Sequence, residues 1–138
     1  MKPVCQKIVP SFVTVICLAL VLIAGPAPAA QRIDLQSLMS KRVPVLLEFG
    51  RGWCKPCKYM KPILKDAARA YEGRAVVASV DMDANLDLAR RLSVRLMPTQ
   101  IFLWPNGKVF FRNEGVLERD HIAQIFSKMG VDPPERGR

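Results

Sequence analysis

The sequence predicts an α/β protein in which a mixed central β-sheet is flanked by helices, in the order β-α-β-α-β-β-α. Three observations carry that expectation. Dense apolar runs of strand length, Val43 to Phe49 and Ala75 to Val80, alternate with segments whose apolar residues recur at helical spacing. Two β-rich runs, Thr99 to Trp104 and Lys108 to Arg112, flank a turn that carries the Asn106-Gly107 hairpin signal. The 138 residues are 50% hydrophobic and 24% charged, enough for one core and too apolar for a disordered tail or a fibrous repeat.

Taken in order, Asp34 is placed to cap a short helix from Leu35 to Ser40, and the Val43 to Phe49 strand follows with Glu48 as its one charged residue. After the Gly50-Arg51-Gly52 turn, Cys54 to Tyr71 places Met60, Ile63, Leu64, Ala67, Ala68 and Tyr71 on one helical face, with Pro62 expected to bend the helix. Gly73 ends it before the Ala75 to Val80 strand and the acidic turn Asp81-Met82-Asp83. Asn85 is expected to cap a helix running to Leu92. The hairpin then leads into a closing helix, Glu118 to Met129, with Ile122, Ile125, Phe126 and Met129 inward and Gly130 as its stop.

Ahead of this domain the chain reads as an export leader. Lys2 and Lys7 precede the apolar run Phe12 to Ala24, and Gly25-Pro26 then stops any helix before the small-x-small pattern Ala27-Pro28-Ala29. Cleavage is expected after Ala29 or Ala30. The alternative is an uncleaved anchor, but the thirteen-residue run falls short of the ~20 residues that span a bilayer. The expected organisation is therefore a leader over 1–29, a domain over 30–131 and a tail from Asp132 to Arg138. The leader takes Cys5 and Cys17 with it, which leaves Cys54 and Cys57 and removes the disulfide-framework reading that four cysteines invite. The destination is periplasmic or otherwise extracytoplasmic, where thiols tend to be oxidised and a reduced pair needs an electron source.

Trp53-Cys54-Lys55-Pro56-Cys57 stands where a buried strand turns into a helix. Unpaired N–H groups and the helix dipole favour an anion there, so the Cys54 thiolate is favoured, and Lys55 adds charge of the same sign. Cys57, one turn further in, is within reach of a mixed disulfide formed at Cys54. Those positions make Cys54 the nucleophile and Cys57 the resolving thiol. Pro56 costs no hydrogen bond in the first turn and stiffens the loop. A structural disulfide across so short a loop gains only roughly 2 kcal/mol in the entropy model. A structural zinc ion wants four ligands, and only His121 joins the two cysteines; it reads as a solvated helix residue, and neither a metal nor a cofactor is expected.

With these residues in view the sequence resembles the thioredoxin superfamily over nearly the whole chain beyond the leader. The likeness is carried by Glu48-Phe49, Trp53-Cys54-Lys55-Pro56-Cys57-Lys58, Pro62, Asp81-Met82-Asp83, Met97-Pro98-Thr99, Asn106-Gly107 and Gly115. It implies a thioredoxin fold in which Pro98 is cis and lies against the cysteines. Trp53, Met97, Pro98 and Thr99 would then contact substrate, with the Met97 backbone free to pair with an extended strand. Family members usually carry a buried Asp where Glu48 stands. A buried Glu48 would have a raised pKa and could take the Cys57 proton, whereas an edge glutamate would simply reach water. The VPVLL run favours burial. Two departures stand out: Gly50 replaces the family's tryptophan, and Ser79 replaces a lysine often paired with the acid, so Glu48 lacks its usual cation.

The net charge of +9, from 21 basic and 12 acidic residues, becomes +7 without the leader as 19 basic residues stand against the same 12 acids. Lys58, Lys61, Lys65 and Arg69 line the face opposite the apolar stripe. Such a stripe is ordinarily a solvated face, and the sharper alternative is docking to an acidic partner. Nucleic acid is not expected, because no basic-aromatic stacking pattern is present. The function expected is an exported thiol:disulfide oxidoreductase, a monomer that reduces protein disulfides and is recharged by a membrane thiol-electron transporter. An oxidase or isomerase role is the nearest alternative, and a module holding Cu(I) or an apoprotein on the two thiolates without turnover is another.

Overall fold

A computed structural model of the chain describes residues 31–132, so the expected leader and the tail beyond Asp132 lie outside the described residues. The elements are α1 (Leu35–Met39), β1 (Val45–Gly50), α2 (Lys55–Ala70), β2 (Val76–Asp81), α3 (Leu86–Arg91), β3 (Thr99–Leu103), β4 (Val109–Glu114) and α4 (Arg119–Lys128). The expected order is present, preceded by the short helix expected after Asp34, whose carboxylate accepts the Gln36 N–H. The sheet runs β2-β1-β3-β4, with β1 parallel to β2 and antiparallel to β3, and β3 antiparallel to β4. Among the described residues no helix is long and apolar enough to cross a membrane.

All six residues of β1 are buried, because both its edges are paired and both its faces are covered. Alternation sorts them. Val45, Leu47 and Phe49 join Val80, Ile101 and Leu103 beneath Leu88 and Ala89 of α3, with Leu35, Leu38 and Met39 of α1 packed alongside. Leu46 points the other way, into a core with Phe102, with Met60, Ile63, Leu64 and Ala67 of α2, and with Ile122, Ile125 and Phe126 of α4. A strand buried on both faces reads as a continuous apolar run, which is how it stands in the sequence. The second core is stitched by aromatic rings, with Phe126 5.2 Å from Phe102 and 4.5 Å from Tyr71, centroid to centroid.

The hairpin forms where Asn106-Gly107 predicts it: Gly107 takes φ +82°, and the Trp104 N–H donates to the Lys108 carbonyl at 2.9 Å. Gly130 stops α4 at φ +76°. α2 continues through Pro62 to Ala70 as one helix. Two local expectations are corrected. Asn85 stands at the start of α3 but gives its side chain to partners outside the helix, its Oδ1 accepting from the Ile33 N–H at 2.7 Å and its Nδ2 donating to the Asp81 carbonyl at 2.8 Å. It is buried, so its amide pins the chain ahead of α1 to the end of β2 and leaves the helix end uncapped. Asp132, which composition assigns to the tail, is held by Arg74 Nη1 on its carbonyl and by the Ser127 hydroxyl on its carboxylate, both at 2.6 Å.

Phe102, with no exposed surface, is the ring that joins sheet and helices. Phe102→Ala is expected to lower unfolding free energy by about 3–5 kcal/mol in guanidinium titrations, as for other deep aromatic truncations. A loss of under about 1 kcal/mol would show that the ring does not carry this core.

Candidate active site

The end of β1 determines where the site lies. The strand finishes at Gly50, and a short turn brings the chain directly to the N-terminus of α2, where Cys54 occupies the N-cap. Its sulfur accepts the Cys57 N–H at 3.2 Å, so one of the helix's unpaired donors already points at it. Pro56 lies in the first turn, where no N–H is missed. Cys54 and Cys57 are joined by a disulfide with their Cα atoms 5.3 Å apart. Both are nearly enclosed, at 5% and 4% exposure, while Trp53 beside them is 67% exposed and Lys55 and Lys58 face solvent.

Antiparallel pairing of β1 with β3 sets Thr99 opposite Phe49, so β3 begins at the end of the sheet where β1 gives way to the cysteines. The Met97–Pro98 peptide just before it is cis. Pro98 and Thr99 are buried, Met97 is half-buried, and the Thr99 hydroxyl donates to the Leu96 carbonyl at 2.9 Å. Strand register thus gathers Trp53, Cys54, Cys57, Met97, Pro98 and Thr99 at one sheet end. Arg51 braces the turn: its Nε lies 2.9 Å from Asp83 Oδ1, and its guanidinium sits 5.8 Å from the Trp53 ring centroid. Asp83 belongs to the acidic turn after β2, so the ion pair clasps two loops that the sequence leaves unconnected.

Glu48 is buried, at 4% exposure. Its position relative to the sulfurs follows from Gly50. A Cβ placed on Gly50 would fall 3.0 Å from Glu48 Oε1 and 3.1 Å from both Cβ and Sγ of Cys57, so carboxyl and sulfur crowd one point that only glycine leaves open. A cleft of about 210 Å³, lined by Glu48, Gly50, Cys57, Lys61, Ser79 and neighbouring residues, opens on the same spot and gives water a way in. Burial pushes the Glu48 carboxyl up from 4.5 to about 7, against smaller downward pulls from the Ser79 side chain and the Lys61 ammonium. Sequence reasoning places Lys61 only on the solvated stripe. Its spacing of one helical turn beyond Cys57 is the signal that sets it over the acid. His121, on α4, is exposed.

This arrangement can exchange a disulfide. The reducible bond sits at a helix N-terminus, an acid that titrates near neutrality lies behind the inner sulfur, and an exposed aromatic with a cis-proline loop stands at the rim. The thioredoxin family model matches residues 30–128. The chain is 33% identical to a thioredoxin of Pseudomonas aeruginosa over 88 residues, covering 64% of this chain and 81% of that one. It is 32% identical to thioredoxin 2 of Chlorobaculum tepidum over 94 residues, covering 68% and 84%. The crystal structure of the germline-specific thioredoxin Deadhead of Drosophila melanogaster superposes with a TM-score of 0.61 at 30% identity, over 68% of this chain and 89% of that one.

The raised Glu48 value has a consequence for stability. The folded, oxidised protein keeps this proton up to about pH 7 while the unfolded chain releases it near 4.5, so the stabilisation is complete below 4.5 and is lost as pH rises through about 7. The full loss is roughly 3 kcal/mol for that displacement. Unfolding titrations of wild type and Glu48→Gln are expected to run together below pH 4.5, to separate progressively between 4.5 and about 7 and to stay apart above it, with the variant the more stable. Parallel pH profiles would exclude a buried, titrating Glu48.

Proposed function

The chain belongs to the thioredoxin family and is a thiol:disulfide oxidoreductase, and we propose that it works outside the cytoplasm as a reductase of protein disulfides. The observation that carries the reading is the Cys54–Cys57 disulfide at the N-terminus of α2 with the Glu48 carboxyl set behind Cys57. In the reduced protein, the Cys54 thiolate attacks a substrate disulfide, forming a Cys54–substrate bond and releasing one substrate thiolate. Cys57, losing its proton to Glu48, then attacks Cys54 Sγ. The Cys54–Cys57 bond forms, the second substrate thiol leaves, and two electrons have passed from the dithiol to the substrate. The oxidised pair in this structure is the product state of that cycle.

Recharging needs an external dithiol, and a membrane thiol-electron transporter is the donor class that suits an exported protein. Export itself is supported by Lys2 and Lys7, the Phe12 to Ala24 run and Ala27-Pro28-Ala29. Proline before the second cysteine supports the reducing direction, since it resembles the reducing members of the family. Exposed Trp53 and the Met97-Pro98-Thr99 segment supply a surface for an extended substrate strand, with the Met97 backbone as its hydrogen-bonding edge.

Insulin-disulfide reduction with dithiothreitol as electron source is expected to proceed with wild type and to stop in Cys54→Ser, while Cys57→Ser accumulates a covalent complex with its substrate. A reduction potential near −270 mV is expected, and a value near −120 mV would overturn the reductase assignment in favour of an oxidase. Stoichiometric Cu(I) uptake without turnover would replace catalysis by binding. Fusing residues 1–30 to a reporter active only after export is expected to give a signal, and silence there would remove the extracytoplasmic placement.

A further inference from the structure

β3 is a central strand, buried along its length, yet it carries a fully buried glutamine at position 100. Register accounts for its neighbours: Gln100 lies opposite Glu48 of β1 on one side and opposite Asn113 of β4 on the other. Because Leu46 and Phe102 both belong to the core under α2, alternation puts Glu48 and Gln100 on that same face. The side chains' orientation is handed along this row. Asn113 Nδ2 donates to Gln100 Oε1 at 2.6 Å and to the Gly115 carbonyl at 3.2 Å, which fixes the Asn113 amide and, through it, the Gln100 amide. The Gly115 N–H in turn donates to the Pro98 carbonyl at 2.8 Å, so the row is anchored in the loop that precedes β3.

The row ends with two unmet groups. Gln100 Nε2, a donor, and Glu48 Oε1, an acceptor, are both buried and both lack a hydrogen-bond partner. Directly opposed residues of an antiparallel pair hold their Cβ atoms about 4.5–5.5 Å apart, a separation that a side-chain rotation or one water molecule closes. Buried donors and acceptors are satisfied almost everywhere in folded proteins, and here each is what the other lacks.

The geometry points to Gln100 as a positioning residue that, with its amide held by Asn113, donates to the Glu48 carboxylate and stabilises its ionised form. This rests on the reading of Glu48 as the proton acceptor for Cys57. A carboxylate that gains a donor is easier to ionise, so it becomes competent to accept the Cys57 proton at lower pH. The charged and titratable groups that line the cleft with Glu48 are Lys61 from α2, Arg51 from the turn after β1 and Asp81 from the end of β2, while Cys57 is tied up in the disulfide of the oxidised protein. None of them changes when Gln100 does.

The test is the titration of the Glu48 carboxyl carbon, followed by NMR in the full-length oxidised protein, for wild type, Gln100→Leu, Gln100→Met and Asn113→Ala. Both Gln100 variants are expected to raise the midpoint by about one pH unit, the size of one hydrogen bond to a charged group. Asn113→Ala, on the less buried β4, is expected to raise it by less, because the Gln100 amide is then free to flip. Unchanged midpoints in all three overturn the proposal. The pH profile of insulin reduction separates this from the underlying reading: if the exchange rate rises with pH along the carboxyl titration and moves with it in Gln100→Leu, both stand. If the carboxyl midpoint moves while the rate profile does not, the contact stands and Glu48 is not the acceptor.

Discussion

β1 has neighbours on both edges and helices on both faces, and the placement of every reactive group is referred to it. Close packing gives such a strand one register and one exit. At that exit the chain has no room for a side chain at residue 50, turns at once, and enters α2 with Cys54 at the cap. Pairing with β3 brings the Met97–Pro98 peptide to the same sheet end, and pairing with β2 brings the acidic turn that binds Arg51. The site is thus assembled from three loops that share nothing in sequence except attachment to strands next to, or part of, one buried element.

The same strand makes Glu48 an unusual group. A carboxylate surrounded by apolar side chains loses hydration that one serine and one lysine at the cleft do not restore, so the neutral form persists to about pH 7. An acid that changes charge near neutrality matches the task of moving a thiol proton, because driving force and correct protonation state are then both available. No lysine stands at Ser79; Lys61, lining the cleft from the helix side, exerts a small downward pull on the acid.

Much of this was legible in the sequence. Apolar runs and helical spacing gave every strand and helix to within a few residues, and the Cys-x-x-Cys pair with its helix start was placed by local rules alone. Burial of Glu48 followed from the five apolar residues before it. What local reading missed depends on register. That Gln100 faces Glu48 follows only once β1 and β3, far apart in the chain, are aligned, and that Asn113 orients Gln100 needs the register of the β3–β4 hairpin. Asparagine before a helix commonly caps it, and a partner as distant from Asn85 as Ile33 is invisible to a local rule. Lys61 has the spacing of a solvated stripe, and its charge says nothing of the cleft that it lines.

The clasp between Arg51 and Asp83 bears on recognition as well as on architecture. Trp53 projects into solvent from a turn that is fixed at its base by β1, held at its flank by the ion pair and leaned on by the Arg51 guanidinium. An exposed aromatic on a slack loop forfeits part of its contact energy in being immobilised. Here the ion pair and the guanidinium already restrict the turn in the free protein, so part of that ordering belongs to the fold. Under the function proposed above, a substrate strand would lose less of its contact energy to ordering that ring.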